Sequence, residues 1–63
     1  MRHLESGSPV HFDTRETAKL FLSDCCGREV VIDAEGSVLP RCEGPTCSAP
    51  DAATWNLLAT THL

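Results

Sequence analysis

The sequence predicts a small α+β domain, in which a two- or three-stranded antiparallel β ribbon precedes a C-terminal helix. Three observations predict this fold class. Residues that favour β structure cluster mid-chain, an apolar stripe with helical spacing follows near the end, and four cysteines flank the β-prone stretch. A chain of 63 residues holds one domain, whose apolar core alone gives marginal stability. A further stabilising feature is therefore expected, such as disulfides, a bound metal ion or a partner chain.

The first half of the chain contains a polar start and one ambiguous segment. Residues 1–9 carry Gly, Ser and Pro without periodicity, which predicts a mobile N-terminal arm and leaves 10–63 as a single domain. Asp13 and Glu16 fit a capping box, which would begin a helix. The alternation of residues over 18–23 fits a strand instead, and we favour the strand.

The middle of the chain predicts a β-hairpin. Residues 29–33 are rich in β-branched side chains, a turn containing Gly36 follows, and residues 37–39 form a second β-prone run. Pro40 lacks a backbone donor, so the returning strand is expected to end there or to lie at an edge.

The C-terminal stretch predicts a helix over about 50–61. Ser48 is a suitable cap and Pro50 suits the first turn. Trp55, Leu58 and Ala59 then share one helical face. This face is expected to pack on the hairpin, with Trp55 in the core because the chain has few other large side chains.

The cysteines form two groups at the ends of the predicted hairpin. Cys25 and Cys26 precede Gly27, and Cys42 and Cys47 follow after fifteen intervening residues. The chain has no apolar signal segment, which predicts a cytoplasmic protein, and in that reducing compartment clustered cysteines more often bind metal than form disulfides. Four cysteine ligands in a tetrahedral arrangement suit Zn²⁺. The sequence thus predicts a small α+β zinc-binding domain.

The order of turn, hairpin and turn resembles a generic zinc ribbon over residues 18–47. Two features depart from the usual ribbon: Ser23 occupies the first position of a Cys-x-x-Cys pattern, and four residues separate the second cysteine pair. The predicted ligands are Cys25, Cys26, Cys42 and Cys47. If Cys25 is a small buried side chain instead, His11 or His62 would complete the set.

A closed four-thiolate site has no position for substrate, which argues against an enzyme. The net charge of −4 and the absence of a membrane-spanning run favour a protein partner. The expected function is an adaptor or inhibitor of a larger complex, transcription complexes included, and the composition is compatible with a bacterial or phage source.

Two alternatives remain open at this stage. A nucleic-acid-binding ribbon would need a basic face, which four residues would have to form: Arg15, Lys19, Arg28 and Arg41. A structural subunit of an oligomer would instead bury Trp55, Leu57 and Leu58 against another copy.

Overall fold

The computed structural model describes residues 3–44, 47–49 and 52–63. The strands are β1 (His3–Glu5), β2 (Glu16–Ser23), β3 (Glu29–Ile32) and β4 (Thr54–His62). They form one antiparallel sheet in the order β1-β4-β2-β3. The part of the chain that the structure describes contains no α-helix. The predicted α+β class, with two or three strands and a C-terminal helix, is therefore wrong.

The C-terminal segment forms the longest strand of the sheet. β4 pairs with both β1 and β2, and its central position buries Trp55 while Asn56 lies on the opposite face. Thr54, Thr60 and Thr61 add β-branched side chains that favour a pleated surface. Two neighbouring strands supply hydrogen bonds along β4. This pairing favours a strand even though the apolar residues of the segment have helical spacing. Pro50, expected in the first helical turn, lies outside the described residues.

The ambiguous segment resolves into a strand. β2 spans Glu16–Ser23, which confirms the strand predicted over 18–23. The bond that a capping box would make nevertheless forms: Asp13 N donates to Glu16 Oε1 at 2.6 Å. Glu16 N also donates to Asp13 O at 3.0 Å, so the pair closes a turn that leads into the strand. Local side-chain bonding of this kind stabilises turns as well as helix starts.

The predicted hairpin between 29–33 and 37–39 is wrong in its pairing. β3 pairs with β2, whereas Val38 makes an isolated bridge with Pro9. Val10 N donates to Ser37 O at 2.8 Å, which continues that contact with the N-terminal region. The turn at Gly36, where φ is +82°, carries the chain away from β3, and no described strand pairs with the outer edge of β3.

The N-terminal segment contributes directly to the sheet and the core. Within residues 1–9, for which the sequence suggests an arm, His3–Glu5 forms β1 on the edge of β4. Ser6 Oγ accepts a hydrogen bond of 3.0 Å from Trp55 Nε1. The buried apolar residues form one cluster: Val10, Phe21, Ile32, Leu39, Cys42, Ala53 and Trp55. Cys42 joins the core to the cysteine-bearing loops.

Candidate metal centre

The four cysteines lie together at one end of the sheet. Cys25 and Cys26 are in the loop between β2 and β3, and Cys42 and Cys47 are in the long connection between β3 and β4. Their four Sγ atoms all lie within 4.8 Å of one another. The fold thus brings together the four residues that the sequence predicts as ligands, although the hairpin expected to join them does not form.

The sulfur separations suit a shared cation rather than disulfides. Cys25 Sγ lies 3.2 Å from Cys42 Sγ and 3.4 Å from Cys47 Sγ, and all four cysteines are free thiols. A disulfide needs an S–S distance of about 2.05 Å. Zinc–sulfur bonds of about 2.3 Å in a tetrahedron place the sulfurs about 3.8 Å apart. The two sulfur separations are about 0.4–0.6 Å shorter than that spacing and more than 1 Å longer than a disulfide bond.

Backbone turns aim the thiols inward. At Gly27 φ is +66°, a conformation that glycine adopts without steric cost, and Gly27 N donates to Ser23 O at 3.2 Å. In the second loop, Cys47 N donates to Gly44 O at 3.1 Å. A side chain on Gly44 would place its Cβ 2.5 Å from Cys26 Sγ, so this position accepts only glycine without displacing Cys26.

Hydrogen bonds within the cluster shift the pKa values of two thiols in opposite directions. A hydrogen bond from Gly44 N–H, with a further one from the Cys25 thiol, lowers the pKa of Cys42 to about 6. Donation from Cys25 to Cys42 and Cys47 raises the pKa of Cys25 to about 12. Cys42 is fully buried, whereas Cys25 is exposed. The buried thiol of Cys42 is therefore the more acidic of the two, and a bound cation would take the place of the proton that Cys25 shares with its neighbours.

Each histidine has a carboxylate neighbour outside the cysteine cluster. His11 Nδ1 is 2.7 Å from Glu35 Oε2, and His62 Nε2 is 3.9 Å from Glu16 Oε2. The group of potential metal ligands found among the described residues contains cysteines alone. The geometry thus favours Cys25 over His11 or His62 as the fourth member.

Two polar residues beside the cysteines were missed in the sequence. Ser23 is buried and its Oγ accepts a 3.0 Å hydrogen bond from Arg28 N, which fixes the first cysteine turn. Asp24 accepts hydrogen bonds from Thr54 Oγ1 and from Asn56 Nδ2, and these bonds tie the same turn to β4. The position of both residues just before Cys25 was the available signal. The partners of Asp24, however, lie 30 and 32 residues away in sequence, where no local pattern reveals them.

One of the four basic residues that the nucleic-acid alternative needs is buried. Lys19 is buried, its Nζ lying 3.4 Å from Glu16 Oε1 and 5.8 Å from the Phe12 ring centroid. Lys19 is therefore not available to the basic face that nucleic-acid binding would need. Arg28 instead lies beside the second cysteine loop, close to Gly44.

Comparison with family models, with curated proteins and with solved structures finds no match for this chain. Among the described residues there is also no helix with the length and apolar character needed to cross a membrane. The arrangement of the four cysteines is therefore the main guide to function.

Gly44 provides a direct test of the cysteine geometry. Replacing Gly44 with Ala should force Cys26 to move, because the added Cβ would lie 2.5 Å from its Sγ and 2.7 Å from its Cβ. We expect zinc affinity to fall about tenfold or more, as for other changes that misplace ligands. Competition with a chromogenic chelator measures this loss.

The matched control is Glu43→Ala at the preceding, exposed position, which should leave zinc affinity unchanged. Equal affinities of the Gly44→Ala variant and the wild type would contradict the described packing of Cys26 against Gly44.

Proposed function

We propose that this chain is a small zinc-stabilised protein-binding module of the cytoplasm, acting as an adaptor or inhibitor of a larger complex. One observation carries the proposal: four free thiols from two loops converge within 4.8 Å. Cys25, Cys26, Cys42 and Cys47 would hold one Zn²⁺ and pin both loops to the sheet.

The donor set supports zinc in a structural role. Four thiolates complete a tetrahedron around Zn²⁺ and leave no coordination position for water or substrate. Soft sulfur ligands also disfavour magnesium and calcium, which prefer oxygen. Such a site contributes binding free energy to folding, and a domain whose buried core consists of a few side chains benefits most from that contribution.

Charge supports a protein partner over a nucleic acid. The formal net charge is −4, and four thiolates with one divalent cation add about −2. Phosphate backbones are bound by clustered Lys and Arg, and Lys19 is buried beside Glu16. An acidic domain of this kind favours partners that present a basic surface.

Native mass spectrometry tests the metal assignment. We expect one zinc ion per chain, and removal by a strong chelator should release four titratable thiols. The control is the same measurement after incubation with magnesium and calcium, which should leave the mass unchanged. A folded, metal-free chain with two disulfides, or a chain carrying iron in place of zinc, would contradict the proposal.

An electrophoretic mobility-shift assay separates the two classes of partner. We expect no retained complex of the zinc-loaded protein with single- or double-stranded DNA or RNA, even at low salt, because few basic groups can meet one backbone. The reference is a designed double variant, Glu5→Lys with Asp13→Lys, which tests whether added charge alone produces a shift. A salt-sensitive complex of the wild type that depends on Arg28 and Arg41 would instead establish nucleic-acid binding.

A further inference from the structure

β3 forms one edge of the sheet, and among residues 3–44, 47–49 and 52–63 no strand pairs with its outer side. Ser23 N donates to Arg28 O at 2.8 Å, so the backbone of Arg28 faces β2. The direction of hydrogen bonding alternates along an antiparallel ladder. Glu29, Val31 and, after the strand, Asp33 therefore present their backbone groups toward the outer edge.

The side chains at these three positions form an alternating acidic and apolar row. Glu29 and Asp33 are exposed, and Val31 between them is 59 % exposed. No ion pair to either carboxylate occurs in the described part of the chain. Short strands and charged side chains commonly protect sheet edges from pairing with copies of themselves, and β3 has four residues and begins with Glu29.

The same row disfavours a second copy of this chain as the occupant. Residues whose backbones face outward pair with each other in an antiparallel extension. The register with fullest overlap places Val31 opposite Val31, which sets Glu29 opposite Asp33 on both sides of the symmetry axis. Like charges directly opposite each other destabilise strand pairing.

We propose that the outer edge of β3 receives an extended segment of another protein as an added antiparallel strand, with basic side chains opposite Glu29 and Asp33 and an apolar side chain opposite Val31. The backbone supplies affinity and the alternating row supplies specificity, as in other cases of strand addition. The partner segment therefore reads basic-x-apolar-x-basic. This inference rests on the proposed function as a protein-binding module and names the partner's chemistry.

The test uses zinc-loaded protein and a cyclic hairpin peptide, whose preorganisation lowers the entropic cost of binding. Its free strand reads Lys-Thr-Val-Thr-Lys, and a second peptide has Glu in place of both Lys. We expect the basic peptide to bind about tenfold more tightly than the acidic one and to shift the amide NMR signals of Glu29, Val31 and Asp33. The variant Glu29→Lys with Asp33→Lys should reverse this preference.

The control variant is Glu5→Lys with Asp13→Lys, which changes the net charge equally at exposed positions away from β3 and should keep the wild-type preference. Val31→Pro removes an outward N–H and should abolish binding of both peptides while zinc remains bound. Failure of the basic peptide to bind at millimolar concentration overturns the edge proposal, as do shifts confined to other residues or self-association through β3. In each case retained zinc leaves the metal assignment intact, whereas loss of zinc from the wild type would overturn the proposed function itself.

Discussion

Replacing Cys42 with Ser should unfold the domain. Cys42 is fully buried in the apolar core and is at the same time one of the four clustered thiols, so the change removes a ligand and places a hydroxyl among apolar side chains. Structural zinc contributes an apparent binding free energy of about 10–16 kcal/mol in small domains. This exceeds the roughly 3–5 kcal/mol that a core of this size supplies. Dispersed amide NMR signals should collapse, as they should when a chelator removes zinc from the wild type.

The matched control is Val38→Ser, an exposed residue in the same connection, which should keep both the spectrum and the metal. Cys25→Ser should have a milder effect than Cys42→Ser, because Cys25 is exposed and contributes nothing to the core. A Cys42→Ser protein with an unchanged spectrum and full zinc content would contradict the assignment of the centre.

Replacing Trp55 with Ala should have the second largest effect. Trp55 is 2 % exposed at the middle of the sheet, and its Nε1 donates to Ser6 Oγ at 3.0 Å. Truncating a buried Trp costs about 3–5 kcal/mol through lost burial and the cavity left behind. This loss equals the roughly 3–5 kcal/mol available from a small core, so only zinc would keep the variant folded. Urea unfolding at saturating zinc, followed by circular dichroism, measures the change.

Leu58→Ala is the control within the same strand, since Leu58 is 50 % exposed, and the change should alter stability by no more than about 0.5 kcal/mol. Trp55→Phe keeps much of the packing and loses the hydrogen bond to Ser6, so its stability should lie between that of Trp55→Ala and that of the wild type. A Trp55→Ala variant as stable as the wild type would contradict the role of Trp55 in the core.

The sequence was informative wherever the signal was local. The strand over 18–23 follows from side-chain alternation, and the turn at Gly27 from glycine's freedom at positive φ. The cysteine cluster was also predictable, because four cysteines in a short chain have few other uses. The predicted hairpin was expected to bring the two cysteine pairs together, whereas the structure brings them together through the β2–β3 and β3–β4 connections.

Only the tertiary structure decided which segments pair. Residues 54–62 satisfy helical spacing through Trp55 and Leu58, but they also contain three threonines, which favour strands. β1 and β2 flank them with backbone partners that no local pattern reveals. Residues 37–39 likewise have strand propensity. In the structure, however, they pair with Pro9 and Val10 and not with β3. Sequence by itself indicated that the four cysteines act together and that a strand leads into the first pair. The sheet order, and with it the free edge of β3, was decided by long-range hydrogen bonding, because strand propensity does not specify a partner.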